Sequence, residues 1–264
     1  VSRVVTLDLP GADETAHPDI ERNLGFHLQV FVVRRNRVGW QEAINENGFA
    51  ILPGIFSFET LDFLLHEIEN VAPRRSRAGI RHALRLPPVA ELARQPQLME
   101  LARGVLGQEA FPFRATVFDK SPMANWLVVW HQDTALPLRS RLEVNGWGPW
   151  SVKDGIHYAH APTAVLNHVV SLRVSLDDSS VENGPLRVLP GIHRRGVLSD
   201  DDVHQIAASA TPVDCVAARG AVVIMRPLTI HASSKSRSTQ PRRVLHIEYA
   251  ASTSIAEPLQ LAIA

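Results

Sequence analysis

The sequence is poor in several things that would fix a function class. It has one cysteine, Cys215, so neither an internal disulfide nor an all-cysteine metal cluster can form, and a reducing compartment fits. It has no net charge, because 27 Lys and Arg balance 27 Asp and Glu. The field that would gather a polyanion over the whole surface is missing, which disfavours a general nucleic-acid binder. No apolar run approaches the roughly 20 residues that span a bilayer. Val1 to Pro10 lack the basic-then-apolar layout of a secretory signal. No glycine-rich phosphate loop follows a strand pattern, there is no serine nucleophile elbow, and there is no internal repeat. What remains is a 264-residue chain, 45% hydrophobic, expected to be a soluble, cytoplasmic, globular protein with no membrane or nucleic-acid partner. Its one surplus is twelve histidines.

The first half reads as helices. Residues 1–36 carry few signals beyond the basic cluster Arg34, Arg35 and Arg37, which reads as a solvated face. Trp40, Ala43 and Ile44 fall at helical spacing and Asn47-Gly48 ends that helix. Phe49 to Pro53 is a short strand. Ser57 can cap a second helix that places Leu61, Leu64, Leu65 and Ile68 on one face. Pro73 to Arg81 is a basic loop. A third helical stretch runs from Val89 to Leu106, and Pro96 splits it. Beyond that point the period shortens. Phe113–Phe118, Trp126–Trp130, Val169–Leu176, Leu186–Leu189, Ala221–Met225 and Val244–Tyr249 are strand-like runs separated by turn residues such as Glu182-Asn183-Gly184-Pro185. Helices followed by many short strands predict a β-sandwich or barrel with helices packed outside one sheet.

Two constellations carry chemistry. In Trp130-His131-Gln132-Asp133, strand alternation points His131 and Asp133 to one side, which supplies two of the three ligands of a facial metal triad. The third must come from elsewhere, with His157, His160, His168, His193, His204, His231 and His246 as candidates. Of these, His231 follows the Ala221–Met225 strand and precedes a polar loop, the position of a ligand at a barrel mouth. The second constellation begins at Arg242, eleven residues after His231. Arg242, Val244, His246 and Glu248 share one strand face and Arg243, Leu245, Ile247 and Tyr249 the other. The apolar face can pack beneath helices, leaving the polar face to line a cavity. There a guanidinium fork would suit a carboxylate.

In order and spacing these motifs resemble the phytanoyl-CoA dioxygenase-like branch of the Fe(II)/2-oxoglutarate-dependent oxygenases. The resemblance rests on Trp130-His131-Gln132-Asp133, on Glu182 to Leu186 leading into Leu189-Pro190-Gly191-Ile192-His193, on Gly220 through Ile230-His231-Ala232-Ser233, and on Arg242. Asn47 to Gly54 also matches, and the likeness spans residues 38–250. It implies a mainly β fold, a double-stranded β-helix (jelly roll, cupin-like) with N-terminal helices packed on one sheet. One domain would cover 1–264, with a variable segment 1–36, mainly helical support over 37–112 and the catalytic core over 113–252. It implies His131, Asp133 and His231 as Fe(II) ligands, Arg242 as partner of the distal carboxylate of 2-oxoglutarate, and Lys120 and Ser233 as further co-substrate contacts. His193 matches a turn position rather than a ligand, and Ile192 departs from the small polar residue usual before it.

The implied reaction consumes O2 and 2-oxoglutarate, releases succinate and CO2, and hydroxylates an unactivated C–H. Because Asp133 is present, hydroxylation is favoured over halogenation, which uses a vacated carboxylate position. Substrate contacts are sought between Thr134 and His168, at Trp147, Trp150, His157 and Tyr158, and at Arg173. The basic and aromatic composition there suggests a small substrate carrying a carboxylate or phosphate. The competing reading is a cupin-like hydrolase or isomerase that uses the same His-Asp-His site without 2-oxoglutarate. The oligomeric state has no signature in the sequence.

Overall fold

The apolar stripes of the first half fold as their spacing dictates. Helix α1 (Gly39–Asn47) buries Trp40, Ala43 and Ile44, and α2 (Phe58–Val71) buries Leu61, Leu64 and Ile68. Ser57 caps α2 by accepting the Thr60 N–H at 3.3 Å. The third stretch is two helices, α3 (Pro87–Leu92) and α4 (Pro96–Leu106). Pro96 opens α4 at a position where its missing N–H costs nothing, and Gly107 closes it. In this computed structural model residues 39–71 and 79–264 are described, all within a unit spanning Phe31–Ala264. The cluster Arg34, Arg35 and Arg37 and most of the Pro73–Arg81 loop lie outside the described residues.

The strands are β1 (Phe49–Leu52), β2 (Gly79–Ile80), β3 (Phe111–Lys120), β4 (Val128–His131), β5 (Ala135–Leu138), β6 (Trp150–Lys153), β7 (Ile156–His160), β8 (Val169–Ser175), β9 (Leu186–Val188), β10 (Val213–Cys215), β11 (Val222–Met225), β12 (His231–Ser233), β13 (Arg242–Ala250), β14 (Ser254–Ala256) and β15 (Leu259–Gln260). Two further helices, α5 (Thr163–Leu166) and α6 (Asp200–Ser209), lie between strands. A six-stranded sheet, β1-β11-β8-β13-β3-β2, faces a four-stranded sheet, β10-β9-β12-β4. This is the jelly roll. Smaller sheets, β5-β7-β6 and β14-β15, flank it.

Strand β13 sits inside the large sheet and separates two environments. Leu245, Ile247 and Tyr249 pack with residues of α1, α2, α3 and α4 in the main core, where each fully buried large side chain contributes about 1.5–3 kcal/mol. The Tyr249 hydroxyl donates to the Ala93 carbonyl at 2.7 Å. Arg242, Val244, His246 and Glu248 face the opposite sheet and are buried. Arg243, on the helix side, forks onto Asp177 at 2.8 Å. A second core, which includes Phe49, Leu186, Val188, Cys215 and Val223, fills one end of the space between the sheets. Burial there pushes the Cys215 thiol up to about 12.

Two differences from the sequence pattern have plain causes. Thr134–His168, which shows no strand pattern in the sequence, holds β5, β6, β7 and α5. Its proline, glycine and charged residues hide strands too short to show an alternation. The core also extends past residue 252, since Leu259, Leu261 and Ala264 are buried and the Ala264 carbonyl accepts the Ala115 N–H at 2.9 Å.

The turn Glu182-Asn183-Gly184-Pro185 joins the sheets next to Arg242. Asn183 ties it by accepting the Ser180 N–H at 2.8 Å and donating to the Asp178 carbonyl at 2.7 Å. Gly184 has φ +67°, and a Cβ there would lie 2.2 Å from the Ser234 carbonyl oxygen. We expect Gly184→Ala to cost about 1–3 kcal/mol through left-handed strain and that collision. A thermal melt that matches the unaltered protein would refute the assignment of this turn as a fixed strut.

Candidate active site

The triad is assembled from three short pieces of chain. β12 pairs antiparallel with β4 so that His231 stands directly opposite His131. Their rings approach to 4.2 Å between centroids. Asp133 comes from beyond the end of β4. The strand stops at His131, so the alternation that paired the two residues in the sequence does not itself place the carboxylate. The intervening Gln132 does. Its amide donates to the Gly196 carbonyl at 2.9 Å and the Leu228 carbonyl at 2.8 Å, and accepts the Leu198 N–H at 2.9 Å. The Asp133 N–H donates to the Pro227 carbonyl at 2.9 Å. With Gln132 stapled outward, Asp133 turns back into the barrel.

His131 Nε2 lies 3.6 Å from one Asp133 oxygen and His231 Nε2 lies 3.5 Å from the other. One ligand atom from each of the three residues falls within 4.8 Å of the others. Each imidazole has its Nδ1 bound to a backbone carbonyl, His131 to Val129 at 2.8 Å and His231 to Thr229 at 3.0 Å. That makes Nδ1 the protonated nitrogen and leaves the Nε2 lone pair directed at the common centre. Burial lowers the His231 imidazole to about 4, so it is neutral and able to ligate at physiological pH. Burial alone would raise the Asp133 carboxyl, but His231 and His131 hold it well below the usual carboxylate range. Burial alone would lower the His131 imidazole, but the Asp133 carboxylate beside it raises it, so a metal bound here would displace a proton from that ring. Two imidazoles and a carboxylate on one side of a centre match the donor set of non-haem Fe(II).

The far end of the cavity is cationic. Lys120 on β3 is buried, donating to Ser233 Oγ at 2.8 Å and to the Ser234 carbonyl at 2.6 Å. Arg242 donates to Ser233 Oγ and the Asn183 carbonyl, both at 3.3 Å. Arg173 on β8 donates to His246 Nδ1 at 2.9 Å. Among the described residues none of these three cations is ion-paired. The consequence shows in their acidities. Burial, with Arg242 and Arg173 adding to it, lowers Lys120 to about 8, and burial with Arg173 lowers Arg242 to about 10. Uncompensated buried charge of this kind is costly, and its retention points to an anionic guest.

The remaining sequence candidates are spread out. Tyr158 is buried, with its hydroxyl 2.9 Å from His82 Nε2. Trp147 and Trp150 pack against the Leu138, Ala159 and Leu259 cluster. His157 lies on β7 opposite Leu138 and Val152. His193 sits in a turn after Gly191, as the motif implied. Sequence reasoning did not single out Arg114, which pairs with Glu248 on the inner face and whose Nη1 donates to the Ala135 carbonyl at 2.9 Å. Arg114 is an even six residues from Lys120, so β-alternation alone could have placed it on the same inner face.

The family model for phytanoyl-CoA dioxygenase (PhyH) matches residues 44–244, which contain the triad and Arg242. The chain belongs to this family. Among curated relatives, an L-proline trans-4-hydroxylase of Streptomyces griseoviridis is 31% identical over 186 residues, covering 61% of this chain and 62% of that protein. An ectoine dioxygenase of Bordetella bronchiseptica is 28% identical over 171 residues, covering 58% and 48%. The chain thus spans less than two thirds of the curated relatives it matches. Among solved structures, EctD from S. alaskensis, crystallised with 2-oxoglutarate and 5-hydroxyectoine, superposes with a TM-score of 0.61 at 20% identity, covering 81% of this chain and 76% of that one. AviO1 from Streptomyces viridochromogenes gives a TM-score of 0.60 at 21% identity, covering 81% and 95%. These superpositions establish the PhyH-type jelly roll. Among the described residues no helix is long and apolar enough to cross a membrane.

Proposed function

We propose that this PhyH-family chain is an Fe(II)/2-oxoglutarate-dependent dioxygenase that hydroxylates a small metabolite, of the kind named for its L-proline and ectoine relatives. The observation that carries the reading is the pairing of a His-His-Asp centre with an uncompensated cationic pocket in one barrel. A hydrolase or isomerase built on the triad alone has no use for that pocket.

His131, Asp133 and His231 would hold the iron through two Nε2 atoms and a carboxylate oxygen. The bound iron and keto acid supply the oxidising chemistry: O2 is consumed, 2-oxoglutarate is split to succinate and CO2, and a substrate C–H becomes C–OH. The chain positions the reactants. The carbonyls of Val129 and Thr229 fix the imidazole tautomers. Arg242, with Lys120 and Ser233, would grip the carboxylate farthest from the iron and so orient the keto acid.

The direct test is anaerobic addition of Fe(II) and then 2-oxoglutarate, watching for the weak visible charge-transfer band of the chelate. Its appearance supports the reading. Bound metal without the band favours the hydrolase or isomerase. The low Lys120 value adds a pH signature. Below about 8 the ammonium is charged and attracts the dianion, and above it the charge is lost. Affinity for 2-oxoglutarate should therefore fall as pH rises through that point, by at most about tenfold per pH unit for one linked proton. In Lys120→Met the profile should flatten. An unchanged slope would remove Lys120 from the pocket.

A further inference from the structure

The end of the inner face away from Arg242 carries charge that neither the metal ligands nor the co-substrate pocket uses. Arg114 on β3 stands opposite Glu248 on β13. The Nε and Nη2 edge of Arg114 faces the Glu248 carboxylate, and Nη1 reaches the Ala135 carbonyl. A guanidinium has five N–H groups, and the end of the fork between Nη1 and Nη2 meets no carboxylate among the described residues. The arginine side chain is 16% exposed, whereas the glutamate it pairs with is 2% exposed.

The pair lies beside the chemistry. One carboxylate oxygen each of Asp133 and Glu248, with a His246 nitrogen, falls within 4.8 Å of the others. On the outer side Tyr158 is shared by two cations. Arg114 lies 5.7 Å from its ring centroid and Lys153 lies 4.9 Å from it. Among the described residues Lys153 has no ion-pair partner, so once a metal claims Asp133 the two cations Arg114 and Lys153 face the single carboxylate of Glu248. A bare cation would be repelled from this place and a second dianion would crowd Glu248. A single carboxylate on the guest complements the unpaired end of the Arg114 fork and the Lys153 ammonium in sign.

We propose that Arg114 anchors the substrate carboxylate, with Glu248 positioning it and Lys153 and Tyr158 backing it, so that the substrate class is a small free carboxylic acid, amino acids among them. This rests on the dioxygenase reading above and adds the substrate class to it.

The test uses the protein loaded anaerobically with Fe(II) and 2-oxoglutarate. Small free carboxylic acids, amino acids among them and L-proline first, and their carboxamides are titrated while the charge-transfer band is followed. Succinate release above the substrate-free rate is then measured in air. At least one acid should perturb the band and stimulate succinate release, with its carboxamide at least about tenfold weaker. Arg114→Gln should weaken that acid roughly 10- to 100-fold while the band still forms at the same 2-oxoglutarate concentration. Arg114→Lys should recover part of the loss. Because Arg114→Gln leaves Glu248 buried and unpaired, Arg114→Gln combined with Glu248→Gln serves as the variant that keeps the shape without the charges. The proposal is overturned if acids and carboxamides act alike, if the double variant binds the acid as before, or if no acid perturbs the band. Absence of the band in the unaltered protein would sink the dioxygenase reading itself, and this inference with it.

Discussion

Asp133→Ala is expected to abolish substrate-dependent succinate formation and to weaken Fe(II) binding by at least about 100-fold, beyond the 10–100-fold that follows from losing a partner outside the ligand set. The reasoning is electrostatic. The two imidazoles are neutral donors, and Asp133 is the only anion of the triad. Without it a dication would rest on two neutral nitrogens beside Arg114 and Arg173. The variant should still fold. The Asp133 side chain is 23% exposed, and the loop is held by the Gln132 amide and by the Asp133 backbone N–H, which the substitution leaves in place. The metal-free variant should keep a cooperative melt at a lowered temperature, because a carboxyl held well below its ordinary range contributes stability at neutral pH that the substitution removes. His231→Ala would also remove a ligand but leaves a buried cavity, so it is the less clean probe. Retained iron binding by Asp133→Ala, measured by metal content after desalting, would show that the metal sits elsewhere.

Much of this site was legible because β-structure turns sequence parity into geometry. Arg242, His246 and Glu248 differ by even numbers and do share the buried inner face. The helical periods of α1 and α2 and the break at Pro96 were equally plain. Other parts were hidden for physical reasons. Strand β12 is His231-Ala232-Ser233, three residues with no β-branched or large aromatic side chain to mark it. Its existence depends on pairing with β4 and β9, which no local pattern reveals. The position of Asp133 depends on Gln132 reaching Gly196 and Leu228, contacts 64 and 96 residues away. Local sequence could name the right residue but not what holds it. Arg114 was missed because the aromatic neighbours Phe111, Phe113 and Phe118 dominate the pattern of β3 and make a single charge look incidental.

Arg242 supplies the second large effect, and here apo and bound proteins should respond differently. In Arg242→Ala the half-saturating 2-oxoglutarate concentration should rise at least about 30-fold, the loss expected when one partner of a buried charge-assisted pair is truncated, roughly 2–5 kcal/mol. The apo-protein, by contrast, should be destabilised little, because relief of a buried, unpaired charge offsets the cavity that the truncation leaves. Among the described residues its guanidinium makes two long hydrogen bonds, at 3.3 Å, and it is held down to about 10 by burial and by Arg173. The sign follows from that lowering. A cation whose folded value lies below its unfolded value of 12.5 opposes folding at neutral pH, and removing it relieves the penalty. A thermal-shift experiment reads both halves at once. At a ligand concentration about 100 times its dissociation constant, 2-oxoglutarate stabilises the unaltered protein by about 2.7 kcal/mol. With affinity about 100-fold weaker the same concentration gives only about 0.4 kcal/mol, so the ligand-induced shift nearly disappears while the apo melting temperature changes little. Arg242→Lys should fall between, keeping the charge but losing the fork. If Arg242→Ala instead lowers apo stability by several kcal/mol and leaves the 2-oxoglutarate requirement unchanged, the arginine is a strut of the barrel, and the hydrolase or isomerase reading of the triad regains its footing.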